Sequence, residues 1–544
     1  MFVLAPTFSL FGCTSTTVDK TVLRVCNCED YIEESLLDDF TEETGIQVIY
    51  STYGTNENLY NELVINPNSY DLVVPSEYMI EKLAVEGRIQ PLDFTKSVSG
   101  YMSDKALLSD YNNNVSPFIK DRLNDIKIKD GIYKNKSLYE FMVGYMWGTM
   151  GWVYNTETVD IDDVNSWFSP FNNQALNGKI TIKDAVRDSY LVGLAMVYEE
   201  ELQQAVSQND NAKISEILNR TDKASIDRVG NKLSSLKNQL YGFEVDSGKN
   251  DIVLGRIDAY VAWSGDAAYA IDVAAGLYPE EEVKNTKALS YYIPDEGSNI
   301  WFDGFVMPSG STNYDAVYKF LEFISRPSSV YKNMNYTGYT SMVAGGEKFT
   351  AYETDEQGNV IGEYETELFD EVFIGWFDES EYLAEELKEL AEFQNKEIDE
   401  ILVDIENMTE QEIEDYGYGV ADLSQFEYFF GSIPSDYRLV ICDESWGRLI
   451  AQYPTAEQVE RCAVMSYFSS ETIMSINEMW EAVKGETFSL WIIILTVVIV
   501  VLLAVVIILY RNKDKISWFK LPERKSYGER KGLKMIKRES EDKL

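Results

Sequence analysis

Thr21–Asn27 (TVLRVCN) alternates apolar and polar side chains, the period of a half-buried strand, and Tyr31, Leu36, Leu37 and Phe40 follow at helical spacing. Thr44-Gly45 closes that helix, and Ile46–Tyr53 returns to a strand. Tyr70–Val74 is a short apolar strand closed by Pro75-Ser76, with a helix beginning near Tyr78. Strands alternating with helices predict an α/β fold with parallel or mixed sheets, whose ligands gather at the carboxyl ends of strands. Much later, Leu383, Leu387, Leu390, Ile398, Ile401, Ile405 and Met408 keep helical spacing among acidic residues, predicting an acidic helix over 380–408. Phe488–Tyr510 differs from both patterns: it runs 23 residues without a charge. At about 1.5 Å per residue it spans the roughly 30 Å apolar layer of a membrane.

Composition changes this picture in three places. A chain of 544 residues exceeds one compact core and suggests two or three units. It has no histidine, which excludes Ser–His triads, histidine zinc sites and HExxH proteases. The net charge of −44 disfavours nucleic acid. Residues 351–450 hold 29 acidic and 4 basic side chains, so most of that charge sits in one stretch and says little about a pocket.

The flanks of 488–510 set an orientation. The 34 residues after Tyr510 carry 12 Lys or Arg against 6 acids, which places 511–544 in the cytoplasm and the bulk of the chain outside. At the other end, Leu10-Phe11-Gly12-Cys13 resembles a lipobox, making Cys13 a lipidation candidate and 1–19 a signal-like segment, although the apolar run is short and no basic residue precedes it. Cys26 and Cys28 are one residue apart, with Cys442 and Cys462 distant; a long-range disulfide is conceivable from such spacing but cannot be paired from it.

The loops after the strands share one mixture of residues. Tyr31, Ser76 and Tyr78 lie early; Asp184 and Asp188 stand in KDAVRD, Trp263 and Asp266 in AWSGDAAYA, Trp301 and Asp303 in IWFDGF, and Tyr339 in TGYT. Singly, each reads as core or cap. Together they suit a chain with an ammonium at each end: carboxylates pair the desolvated charge and aromatic faces cover the methylenes.

In order along the chain, NCEDYIEESLLDDFTEETGIQVIYSTYGTNENLY, YDLVVPSEYMIEKL, YMWGTMGWVYN, GKITIKDAVRDS, AWSGDAAYA, WFDGFVMPSGSTN and NYTGYTS resemble the spermidine/putrescine-binding periplasmic proteins, and the likeness resumes at AQYPTAEQVERCAVM. The resemblance implies a two-lobed α/β binding protein of the type II periplasmic kind that closes on a polyamine and delivers it to an ATP-driven (ABC) permease, with no enzymatic step, no cofactor and no metal. It also implies roles by position. Tyr31, Trp263, Trp301 and Tyr339 would be aromatic contacts, Ser76 and Tyr78 first-lobe contacts, Asp184 and Asp188 would hold one amine, and Asp303 would pair with an amine deep in the cleft. Asp266 is a candidate from the residues alone.

Three departures bear on the ligand. Asn27-Cys28-Glu29 replaces an Asn-Trp-Thr or Asn-Trp-Gly run, so an aromatic wall is absent at Cys28 and Glu29 adds a carboxylate at the rim. A glutamine contact falls on Met465. About 105 residues are inserted from about Gly345, and the acidic helix within them is expected to pack on the second lobe, with the aromatic-rich stretch Asp415–Phe430 packing somewhere unspecified. The expected organisation is a first lobe from 20–145 and 303–340, a second from 146–302 and 341–485 including the insertion at about 345–450, and a monomeric ectodomain. A membrane-tethered sensor, or a binder of another cation or of a neutral sugar, would share these features.

Overall fold

A computed structural model describes residues 22–276, 288–354, 360–393, 408–435 and 437–485. Cys13 and the apolar run 488–510 with its basic tail lie outside the described residues. Among the described residues, no helix is long and apolar enough to cross a membrane.

The unit ending at Val483 is organised on one continuous sheet. Strand β1 (Val22–Cys28) leads into helix α1 (Ser35–Thr44), which stops at Gly45 with φ 71°, a left-handed cap that glycine adopts without penalty. Strand β2 (Gln47–Tyr53), helix α2 (Asn56–Ile65), strand β3 (Leu72–Val73) and helix α3 (Glu77–Val85) follow. The three strands fall within two residues of the predicted ones and α3 starts one residue early; α1 begins four residues after Tyr31, and α2 lacks a sequence prediction. Further strands of the sheet are β4 (Ile89–Gln90), β5 (Met142–Asn155), β6 (Ile180–Lys183), β7 (Leu240–Glu244), β8 (Ala259–Trp263), β9 (Leu289–Tyr292) and β10 (Ser298–Pro308), with β4 and β9 branching from the main order.

The main order is β2-β1-β3-β10-β5-β8-β6-β7. β1 runs parallel to β2 and β3, and β6 runs parallel to β7 and β8. Between these two parallel groups lie β5 and β10, antiparallel to one another and long enough to belong to both. All fourteen residues of β5 are buried, as expected of a strand covered on both faces. One end of β5 pairs with β10, and the other pairs with β8 and β9.

Two main hydrophobic clusters flank the crossover. The larger contains Leu23, Phe40, Leu83 and Phe305, and the smaller contains Trp152, Trp167, Leu194 and Trp480. The insertion does not sit on the smaller one. Phe429 stacks on Trp147 at 5.2 Å and Tyr428 meets Phe118 edge-on at 4.9 Å, so its aromatic stretch rests on the chain between 118 and 147. The helix Ser380–Phe393 turns Leu383 and Leu387 toward Ile413 and Val440, a small cluster that the insertion builds largely for itself. The reason is complementarity of large rings: Phe369, Phe373, Phe426, Phe430 and Tyr453 pack in edge-to-face and tilted pairs within the inserted segment and its exit, and Phe429 covers Trp147.

The four described cysteines, Cys26, Cys28, Cys442 and Cys462, are all free thiols, so the conceivable long-range disulfide is not formed among them.

Candidate ligand-binding site

The candidate residues converge where β1, β3, β6 and β8 end. Several of them stand at or just after a strand's carboxyl end, the position at which α/β sheets gather ligand groups. Tyr31 follows β1, Ser76 follows β3, Asp188 follows β6 and Trp263 closes β8. Asp303 lies within β10, where the pairing with β5 shifts register between Asp303 and Gly304. A bulge of this kind re-aims a side chain out of the ladder. A Cβ on Gly304 would press on the Val143 carbonyl oxygen at 3.0 Å and would displace the end of the Met142 side chain.

Asp303 is the best-framed acid of the group. The Tyr31 hydroxyl donates to its Oδ2 at 2.9 Å, and an isolated bridge pairs its backbone with Ser76. Its Oδ1 is buried and accepts no hydrogen bond among the described residues. Burial lifts its pKa to about 6, against the opposing contacts of the Ser76 and Tyr31 hydroxyls. Asn56 fixes Ser76 from the side, accepting from its N–H at 3.1 Å and donating to its Oγ at 3.0 Å.

Aromatic rings wall the space beside Asp303. Tyr31 meets Tyr145 and Tyr339 edge-on at 5.3 and 4.9 Å, and Trp301 meets Tyr339 at 5.7 Å. The walls stand where they do because two backbone positions carry no side chain. A Cβ on Gly148 would come within 2.6 Å of Trp301, and one on Gly265 within 2.2 Å of Tyr339. Tyr78 donates to Glu57 Oε1 at 3.2 Å and lies beneath the Arg187 guanidinium at 4.7 Å.

The other acids fare differently. Asp188 is half-buried, and burial raises its pKa to about 6, with Lys183, Arg187 and a hydrogen bond to Trp263 working the other way. Asp184 turns elsewhere: its Oδ1 accepts the Trp480 indole N–H at 3.2 Å, so this carboxylate ties the C-terminal helix to the sheet. Asp266 is internally neutralised. Its Oδ2 lies 3.3 Å from Lys183 Nζ, its Oδ1 lies 3.9 Å from Lys249 Nζ, and Tyr339 donates to Oδ1 at 2.9 Å. Lys183 is itself buried and stands 4.1 Å from the Trp263 ring centroid.

Of the departures, Cys28 is half-buried, and burial next to Asp303 pushes its thiol up to about 12. Glu29 is exposed and lines an outer hollow with Asp30, Glu34, Tyr50 and Tyr336. Met465 is a core residue, 4% exposed in the smaller cluster. Four residues of this region carry no sequence signal of their own: Glu57, Glu77, Lys183 and Arg187. Glu77 is a first-turn helix acid and the two cations look like ordinary surface charge; only their position at the junction of a strand and the helix after it marks them.

The profile of bacterial extracellular solute-binding proteins matches residues 35–355, more than half the chain. The chain belongs to that family. As a solute-binding protein it binds rather than catalyses. It is 26% identical over 349 residues to the spermidine/putrescine-binding periplasmic protein of Escherichia coli K12, covering 64% of this chain and 85% of the relative. The putrescine-binding periplasmic protein SpuD of Pseudomonas aeruginosa UCBPP-PA14 is 30% identical over 320 residues, covering 57% and 75%. Among solved structures, a Listeria monocytogenes chain provisionally assigned as a spermidine/putrescine ABC transporter aligns with a TM-score of 0.52 at 22% identity, over 86% of this solute-binding protein and 99% of that chain, which speaks to the fold.

Proposed function

We propose that the protein captures a small polyamine of the putrescine or spermidine class outside the cytoplasm and delivers it to the permease of an ABC importer. The observation that carries this reading is Asp303, a carboxyl with a buried acceptor oxygen that the protein leaves unpaired, set among Tyr31, Trp301 and Tyr339. A buried carboxylate without a partner is costly, and an alkylammonium supplies the missing charge and donors while the rings cover its methylenes. Relatives named for putrescine and spermidine support the same class of ligand. Asp188 holds the second amine, and Tyr78 and Trp263 complete the enclosure as the lobes close by hinge motion about β5 and β10. The uncharged run 488–510 tethers the domain to the membrane, with the basic tail inside.

Isothermal titration of the full-length protein with putrescine, spermidine, spermine and a neutral disaccharide tests the reading. Saturable heat with at least one polyamine and none with the sugar is expected; silence with all three polyamines would sink it. The tether is tested separately by alkaline carbonate extraction of membranes, which should leave the protein in the pellet.

A further inference from the structure

Between Ser76 and Tyr78 stands a carboxyl that the reading above does not use. Glu77 opens α3 and is 2% exposed. Its Oε2 accepts the backbone N–H of Phe302 at 2.9 Å, one residue before Asp303. Its Oε1 is buried and, like Asp303 Oδ1, accepts no hydrogen bond among the described residues. Adjacent residues of two elements thus each present a buried, unsatisfied carboxyl oxygen. Buried polar atoms are ordinarily paired, so two such orphans on segments joined by the Glu77–Phe302 hydrogen bond and the Ser76–Asp303 bridge call for a donor. A primary ammonium has three N–H donors and can serve both.

We propose that Glu77 and Asp303 together form a two-carboxyl receptor for one primary ammonium of the ligand, and that Glu77 gives up a proton when that ammonium arrives. This rests on the polyamine reading. The charged and titratable groups facing Glu77 are Asp303 on β10, Arg187 on the helix Val186–Val197 and Tyr78 on its own helix. Arg187 donates to the Ser466 carbonyl at 2.9 Å through one nitrogen and stacks on Phe468 at 3.8 Å and Tyr78 at 4.7 Å; its other guanidinium nitrogens are buried and make no hydrogen bond to Glu77. Burial, joined by the neighbouring Asp303 charge, lifts the Glu77 carboxyl to about 8, so it holds its proton at neutral pH without ligand. When R–NH3+ enters, the Glu77 O–H bond breaks, the proton leaves to water, and the carboxylate so formed accepts an ammonium N–H. The ligand keeps its own charge.

The test is titration of the full-length protein with putrescine at pH 7.5 in phosphate and in Tris, whose ionisation enthalpies differ, so that the difference in heat counts protons. Wild type should release about three-quarters of a proton per ligand, and E77Q, which keeps an oxygen for the Phe302 N–H, should release none. Should E77Q fail to fold, wild type alone decides: its affinity should strengthen about tenfold per pH unit between 6.5 and 7.5, and a flat profile would overturn the proposal. Binding without proton release, or equal release from E77Q, overturns it while leaving the polyamine reading intact. No binding of putrescine or spermidine at any pH removes both.

Discussion

Asp266 and Asp303 both sit close behind a tryptophan, in AWSGD and IWFD, and both lie next to Tyr339 or its partner Tyr31, yet their surroundings are opposites. Asp266 has two lysines and a tyrosine hydroxyl within 4 Å. Asp303 has hydroxyls and a second acid for neighbours, and keeps one oxygen unmet. The same side chain is a structural tie where the chain supplies the cation, and a receptor where it does not. Lys183, rather than either aspartate, is what makes the difference.

Breaking the tie should produce the largest effect. Asp266→Ala leaves Lys183 buried without its nearest carboxylate, which costs roughly 3–5 kcal/mol for a broken buried pair. Chemical denaturation should show that loss, whereas Asp303→Ala should not destabilise the unliganded protein; equal losses would erase the distinction. Asp303→Asn should instead weaken putrescine binding at least about thirtyfold, since truncating one partner of a buried charge pair costs about 2 kcal/mol or more. An unchanged Kd would mean that the amine lies elsewhere.

The pH dependence sharpens the contrast further. Burial raises Glu77 to about 8 and Asp303 and Asp188 to about 6, each above its unfolded value. Between those values the native state binds more protons than the unfolded chain, so their contribution is full near pH 4 and is lost as pH rises to about 8. The melting temperature without ligand should therefore fall from pH 5 to 8, and should fall less in E77Q; a rise over that range would contradict the assignment. The smallest effect belongs to Asp184→Asn. Because that carboxylate accepts from Trp480, polyamine affinity should stay within about threefold, while Asp188→Asn should exceed it.

The frame of the first hundred residues was legible because its signals are local: alternation for β1 and β2, Gly45 as a helix stop, Pro75-Ser76 between β3 and α3. The clustering of Tyr31, Tyr339, Trp301 and Asp303 was legible through ordered resemblance, since nothing local links residue 31 to residue 303. The tie between Asp184 and Trp480 was not, because it joins side chains 296 positions apart and the aspartate alone looks like a turn acid. Glu77 was hidden for the opposite reason: an acid in the first turn of a helix already has an ordinary explanation. The docking of the insertion was hidden because large rings can pack on any apolar surface, and only shape selects Trp147.

The placement of β10 has a consequence for the order in which the molecule can be assembled. This strand lies between β3 and β5, and its first residues, Ser298 and Asn299, pair in parallel with Cys462 and Ala463, more than 160 positions downstream. A chain emerging from its amino end therefore makes β1, β2 and β3 long before the strand that joins them to β5 exists, and the smaller core still lacks Trp480 when β10 arrives. Such distant closures slow folding, because loop entropy is spent before the contacts that reward it can form. Nearly the whole polypeptide must be present before the sheet is finished, which leaves a long interval in which the chain is still threadable.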